Sequence, residues 1–142
     1  GYNSSYGGDH GIRMAEAYLN RAEALTRRFM TKGDENDRVQ ALNDLNTLRE
    51  TRYVAGTYVD EEITNAQDLL DFCVNERRLE LCMEEGFRWF DIKRFGLSVT
   101  HRYIDSEGTE REYVLESNSL LYALPIPYDA MERNYKLKQN PR

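Results

Sequence analysis

Glu76-Arg77-Arg78-Leu79-Glu80-Leu81-Cys82-Met83-Glu84-Glu85-Gly86-Phe87-Arg88-Trp89-Phe90-Asp91-Ile92-Lys93-Arg94-Phe95-Gly96 gathers charges and aromatic rings more densely than any other part of the chain, and two glycines punctuate it. Ahead of Gly86, the positions Leu69, Leu70, Cys73, Arg77 and Leu81 recur at helical spacing. They predict a helix over residues 66–85, with Thr64 or Asn65 as its N-cap and Gly86 as its C-cap residue. Behind Gly86, residues 87–95 predict a short helix closed by Gly96. Arg77 and Glu84 are seven residues apart, within about 20° on one helix face that also carries Leu70 and Leu81. Charges on an apolar face should be paired. The expected pairs join Arg77, Arg88 or Arg94 to Glu80, Glu84 or Asp91, holding the long helix to the following turn, a device that specifies geometry more than it adds stability.

The same segment also admits two functional readings. Glu76, Glu80 or Glu84 would supply the acid and base couple of a glycosidase, which needs two carboxylates at a fixed separation. Against this, acid pairs on helices are common, and nothing in the sequence fixes a substrate or raises a pKa. Trp89, with Phe87, Phe90 and Phe95, offers ring faces of the kind that stack on a pyranose, although a glycine-flanked aromatic cluster is more often a core anchor, which is the expectation here. Tyr2 and Tyr6, beside Asn3, Ser4, Ser5 and Asp9, have the adaptable character of a recognition loop. The simpler expectation for residues 1–11 is a solvated loop.

Upstream, Ala15, Leu19, Ala22, Leu25 and Phe29 recur at steps of three and four and predict a helix from Ile12 to about Lys32-Gly33. After a Gly33-Asp34 turn, Val39, Leu42, Leu45 and Leu48 repeat every three residues, predicting a second helix to about Arg52. So short a connection makes the two an antiparallel hairpin, and Ala15, Ala17, Ala22 and Ala24 permit close approach. Downstream, residues 99–104 and 110–115 flank a polar turn and read as a β-hairpin. Residues 119–127 are the most apolar stretch, but Pro125 and Pro127 forbid a central strand, so an extended segment across the core is expected. Residues 129–134 suggest one helical turn, and 136–142 a polar, irregular end.

The expected fold is therefore mainly α: a tetratricopeptide-like helical hairpin over 12–53, a long third helix and a short helix over 64–96, then a small β-hairpin and an irregular C-terminal segment over 97–142. Composition agrees with a packed chain. The 142 residues are 40% hydrophobic and 11% aromatic, enough to offset ordering entropy. Nineteen Lys and Arg against 25 Asp and Glu leave a net charge of −6, and the bases are interleaved with acids, which argues against a nucleic-acid groove. No stretch approaches the roughly 18 apolar residues of a membrane helix. Cys73 and Cys82, nine apart on the predicted helix, would point to opposite faces about 13.5 Å apart and could not form a disulfide. With His10 and His101 remote from both, no zinc spacing appears, and no cofactor motif or catalytic triad is present. His10 and His101 read as surface residues.

Residues 76–81 followed by 85–96 resemble the signature of the SusD/RagB family, surface lipoproteins of bacterial nutrient uptake. Arg13-Met14-Ala15-Glu16-Ala17-Tyr18-Leu19-Asn20-Arg21-Ala22-Glu23-Ala24 is similar to that family's last tetratricopeptide-like helix, and residues 41–49 to its partner. Tyr122-Ala123-Leu124-Pro125-Ile126-Pro127, then Asn134, Leu137 and Gln139-Asn140-Pro141, are similar to its C-terminal segment. The resemblance spans residues 12–141 in order. It implies non-catalytic binding of a glycan or other nutrient at the outer membrane, delivery to a SusC-like TonB-dependent transporter, and no cofactor. Such proteins are several times longer and carry an N-terminal lipidated cysteine, so the resemblance makes residues 1–142 a C-terminal part of one, without the lipid-anchor segment. Arg77, Glu80, Glu84, Gly86, Arg88, Trp89, Asp91 and Arg94 match positions that are structural in the family, and no ligand-contacting residue transfers. The alternative is a small helical module that binds a protein or peptide on the hairpin's concave face, although one helix pair is short for a groove.

Overall fold

The computed structural model describes residues 13–84 and 86–142. The expectations for residues 1–11, including Tyr2, Tyr6 and His10, and those for Ile12 and Glu85 lie outside the described residues. The chain divides into two compact units, Gly1–Met83 and Glu84–Arg142, each described by itself.

In the first unit, helices α1 (Met14–Lys32) and α2 (Glu35–Glu50) form the expected hairpin. Gly33 takes the left-handed conformation at φ 69°, and its N–H donates to the Phe29 carbonyl at 2.8 Å. Asp34 then caps α2 by accepting from the Asn36 N–H at 3.0 Å. The two devices satisfy backbone groups that helix ends leave open. Leu19, Ala22 and Leu25 of α1 meet Ala41, Leu42, Leu45 and Leu48 of α2 in the buried core. Of the four alanines expected to allow close approach, only Ala15 and Ala22 are buried; Ala17 and Ala24 face outward. Val39 is also exposed, because α2 begins with its buried face on Asp37 rather than on an apolar side chain.

Asp37 and Asp44 are the unexpected buried groups of α2. Arg28 grips Asp37 with two hydrogen bonds of 2.9 and 2.7 Å, and Arg21 grips Asp44 with two of 2.7 and 2.6 Å. The residue numbers of each pair have the same sum, as an antiparallel register requires. These bidentate forks fix how α1 slides against α2, and they carry geometric information that an apolar stripe lacks.

Helix α3 runs over Ala66–Glu80. Asn65 is its N-cap, accepting from Gln67 and Asp68 N–H groups at 2.8 and 3.0 Å. Leu69, Cys73 and Arg77 are buried on its inner side, whereas Leu70 is half-buried. The helix ends at Glu80 instead of continuing to 85. The chain there passes through Leu81 and into a left-handed Met83 at φ 62°, a conformation that ends helical hydrogen bonding. Cys82 therefore lies beyond the helix and is exposed while Cys73 is buried; both are free thiols. Between α2 and α3, the connecting segment is pinned by Asn46, which receives the Tyr58 hydroxyl at 2.6 Å and the Glu61 N–H at 3.0 Å.

In the second unit, helix α4 (Phe87–Phe95) is followed by strands β1 (Val99–Ile104) and β2 (Glu110–Leu115). The strands pair antiparallel from Val99 opposite Leu115 to Ile104 opposite Glu110. Asp105 organises the turn, its carboxylate accepting from the N–H groups of Glu107 and Thr109 at 3.0 and 2.9 Å. Gly86 corrects its expected role: at φ −102° it is the N-cap of α4, not a left-handed C-cap of α3. A Cβ there would lie 3.1 Å from the ring of the exposed Phe90, a tight contact that a shift of a few tenths of an ångström relieves. Gly96 ends α4 at φ 62° as expected.

The apolar stretch 119–127 departs most from expectation. Leu120–Tyr122 forms a 3-10 turn, and only Tyr122 is buried, with Leu120, Leu121 and Leu124 exposed. The Tyr122 hydroxyl donates to the Leu97 carbonyl at 2.6 Å and accepts from the Asn118 N–H at 2.9 Å. Helix α5 (Tyr128–Arg133) follows. The polar end then returns: Gln139 both accepts from the Ile126 N–H at 2.8 Å and donates to its carbonyl at 3.0 Å, and Asn140 donates to the Leu124 carbonyl at 2.6 Å. Side-chain amides thus complete a strand-like segment whose prolines exclude a backbone ladder.

Candidate functional site

Three acidic residues of the signature stretch, Glu76, Glu80 and Asp91, are held by arginines. Glu76, buried on α3, is paired with Arg49 of α2. The Arg49 guanidinium also lies 5.1 Å from the Phe72 ring centre, 5.7 Å from Tyr53 and 5.8 Å from Tyr58. Desolvation works against its charge, but Glu76 and the tyrosines outweigh that loss and hold its pKa above the ordinary value. Burial pushes the Tyr58 hydroxyl up as well, partly opposed by Arg49.

Glu80 receives Arg13 at 2.8 Å and both nitrogens of an Arg52 fork, one at 2.9 Å. The Arg52 hydrogen bonds hold its carboxyl below the usual range despite partial burial. A glycosidase acid needs the opposite shift, a carboxyl kept protonated near neutrality. The described geometry of Glu76 and Glu80 is that of fixed counter-ions.

Arg77 is buried and donates to Asn20 of α1 at 2.9 Å, with Glu16 at 3.9 Å, tying α3 to α1. Because α3 ends at Glu80, Glu84 does not share its helix face. Glu84 is half-buried. In the second unit, Asp91 is buried on α4 and accepts from Arg94 one turn later at 3.0 Å. Arg88 is exposed. Trp89 is half-buried, its ring edge-on to Tyr122 at 6.5 Å between centres. Phe87 and Phe90 form a second edge-on pair at 6.5 Å.

A cleft of about 650 Å³ opens beside Trp89. Ile92 of α4 and Leu121 share its floor, and Val99, His101, Tyr113 and Leu115 line it from the hairpin. These four hairpin residues occupy two facing pairs of the β register and therefore one face of the sheet. Sequence reading singled out Trp89 and placed His101 on a strand, but missed Tyr113. The available signal was alternation on the second strand, which sets Tyr113 opposite His101 once the hairpin is closed. Among the described residues, no group of three or more His, Cys, Asp or Glu side chains is arranged to hold a metal ion.

Comparison with known proteins gives a consistent result. The family model described as SusD family matches residues 2–142. The chain is 33% identical over 130 residues to the starch-binding protein SusD of Bacteroides thetaiotaomicron, covering 91% of this chain and 20% of that protein. It is 36% identical over 90 residues to SusD-like protein P38 of Formosa agariphila, covering 62% of this chain and 17% of that one. Among solved structures, a SusD-like protein from Bacteroides fragilis superposes with a TM-score of 0.58 at 28% identity, over 91% of this chain and 25% of that chain. The chain thus spans between 17% and 25% of the length of these relatives. Since the family model extends over nearly every residue and the helical core is shared with a solved relative, this chain belongs to the SusD family.

Proposed function

We propose that the polypeptide carrying this chain binds a glycan or other nutrient at the bacterial outer surface, without chemistry, and passes it to a SusC-like TonB-dependent transporter. The observation that carries this reading is the family match over residues 2–142, supported by the 33% identity to a relative named as starch-binding. The arginine-held carboxylates Glu76, Glu80 and Asp91 favour binding over hydrolysis, because each is engaged as the counter-ion of an arginine instead of standing free to transfer a proton. In this reading Arg77 and Glu80 brace the first unit internally, Asp91, Arg94, Gly86 and Trp89 the second, and Arg88 and Glu84 belong to the same structural signature.

The test uses the polypeptide isolated from outer membranes. In native gels containing starch or another polysaccharide its migration should be retarded, a transporter should co-purify in mild detergent, and no reducing ends should appear. Release of reducing ends that is lost in Glu84→Gln would overturn the non-catalytic reading. Unretarded migration on every polysaccharide would overturn glycan binding.

A further inference from the structure

We infer that the cleft between α4 and the β1–β2 hairpin is a subsite for an uncharged pyranose oligosaccharide, with Tyr113 and Trp89 as its ring contacts. The inference rests on the nutrient-binding reading above and locates one binding surface for it within these residues. Its volume of about 650 Å³ falls in the roughly 300–1,000 Å³ range of small-molecule sites.

The chemistry of the lining is what selects a sugar. A pyranose has an apolar C–H face and a rim of hydroxyls, so it suits an aromatic surface bordered by hydrogen-bonding groups. Tyr113 is 59% exposed, and Tyr103, 50% exposed, extends the same sheet face beyond it. Across the diagonal of an antiparallel pair the two positions are about 7–8 Å apart, so one oligosaccharide can lie along both rings. His101 stands opposite Tyr113. Residues 112–115 of β2 all border the cleft, and in this two-stranded sheet the outer edge of β2 has no neighbouring strand among the described residues. That edge presents peptide N–H and carbonyl groups able to meet hydroxyls.

Charge selects an uncharged sugar over an acidic one. The lining includes one carboxylate, Glu112, and one guanidinium, Arg142. Glu112 is paired with Arg102 at 3.0 Å, and on the tyrosine face Arg111 is paired with Asp105 at 3.0 Å. The cationic surplus that carboxylated or sulfated sugars need is not built here.

Trp89 is the single tryptophan of the 142 residues, and the part of the fluorescence change that is lost in Trp89→Phe reports on the cleft. The protein is titrated with maltoheptaose, cellohexaose, xylohexaose and an acidic oligogalacturonate, by fluorescence and calorimetry. At least one neutral oligosaccharide should give a saturable Trp89 change. Tyr113→Ala should weaken it tenfold or more, Tyr113→Phe should retain it, and Tyr135→Ala, exposed and outside the cleft lining, should have no effect. Because Tyr113 is mostly exposed, its truncation leaves the core intact, which an unchanged melting temperature verifies.

Calorimetric binding that leaves Trp89 unchanged and ignores Tyr113→Ala overturns the subsite while the nutrient-binding reading stands. So does an absence of oligosaccharide binding when the membrane-derived polypeptide is still retarded by polysaccharide. Absence of binding in both experiments overturns both. Preference for the oligogalacturonate overturns the assignment to uncharged sugars.

Discussion

Replacing Gly96 by alanine separates two reasons for a glycine and puts a number on each. At φ 62° the backbone is left-handed, which costs an L-residue about 1–2 kcal/mol. The new Cβ would also sit 2.2 Å from the Asn118 side-chain oxygen, a separation that forces Asn118 to move. Asn118 itself has φ 55°, and its N–H donates to the Tyr122 hydroxyl, which in turn closes on the Leu97 carbonyl. Displacing the end of an exposed side chain lies at the low end of the roughly 1–3 kcal/mol cost of overpacking, so Gly96→Ala should lose about 2–3 kcal/mol. Trp89, edge-on to Tyr122, is the reporter, and its fluorescence in urea should show the midpoint falling by about 1 M or more, given a slope of about 1–3 kcal/mol per M. Gly33→Ala supplies the comparison, since it has the same backbone sign at φ 69° but nothing within 4 Å of its Cβ. It should lose only the conformational part, about 1 kcal/mol, read by far-ultraviolet circular dichroism. The double variant Gly96→Ala/Asn118→Gly removes the obstructing side chain and should recover most of the difference. If Gly96→Ala is no more damaging than Gly33→Ala, the close approach to Asn118 is not a determinant of this turn and the reasoning fails.

Two further predictions concern the first unit. Glu80 has its pKa lowered by Arg52, so the stability it contributes is complete above the unfolded carboxylate pKa and disappears as pH falls through the lower folded value. Arg52→Met should therefore cost about 1 kcal/mol near neutrality and move the acid-unfolding midpoint upward, with little difference from the parent at strongly acidic pH; an acid midpoint that stays put would remove Arg52 as the cause. Arg77→Ala opens a part-buried link between α3 and Asn20 of α1 and should cost about 2–3 kcal/mol, from the lost charged hydrogen bond and the packing of the buried stem. A melting temperature equal to that of the parent would show that Arg77 does not couple the helices.

Much of the fold was legible because its signals are local. The stripe Leu19, Ala22, Leu25 and the run Leu42, Leu45, Leu48 mark buried helix faces from spacing alone, and all six are buried. The strands read at 99–104 and 110–115 coincide with β1 and β2, since alternation and the polar turn around Asp105 are contained within a few residues. The end of α3 was not legible. Gly86 was the natural left-handed residue on the page, but the chain turns at Met83, a position where an L-residue is strained and no composition marks it. The apolar stretch 119–127 was misread for a related reason: hydrophobicity says that a segment gains by burial, not that this unit has room for it, and Tyr122 alone took the place.

Of the site, Trp89 was identified as a ring that either anchors or stacks, and its half-buried edge-on contact with Tyr122 combines an anchored edge with a place on the cleft wall. Tyr113 became a partner only when hairpin register set it opposite His101. What the sequence determined by itself was helix and strand identity, the hairpin order and the family, because periodicity, capping and motif are properties of neighbouring residues. What only the tertiary structure decided was which arginine holds which carboxylate, from Arg21 on Asp44 to Arg49 on Glu76, and that Gln139 reaches back to close on Ile126. Those partners are 23, 27 and 13 residues apart. Each side chain has several chemically equivalent candidates, and only the packed backbone brings one of them within hydrogen-bonding distance.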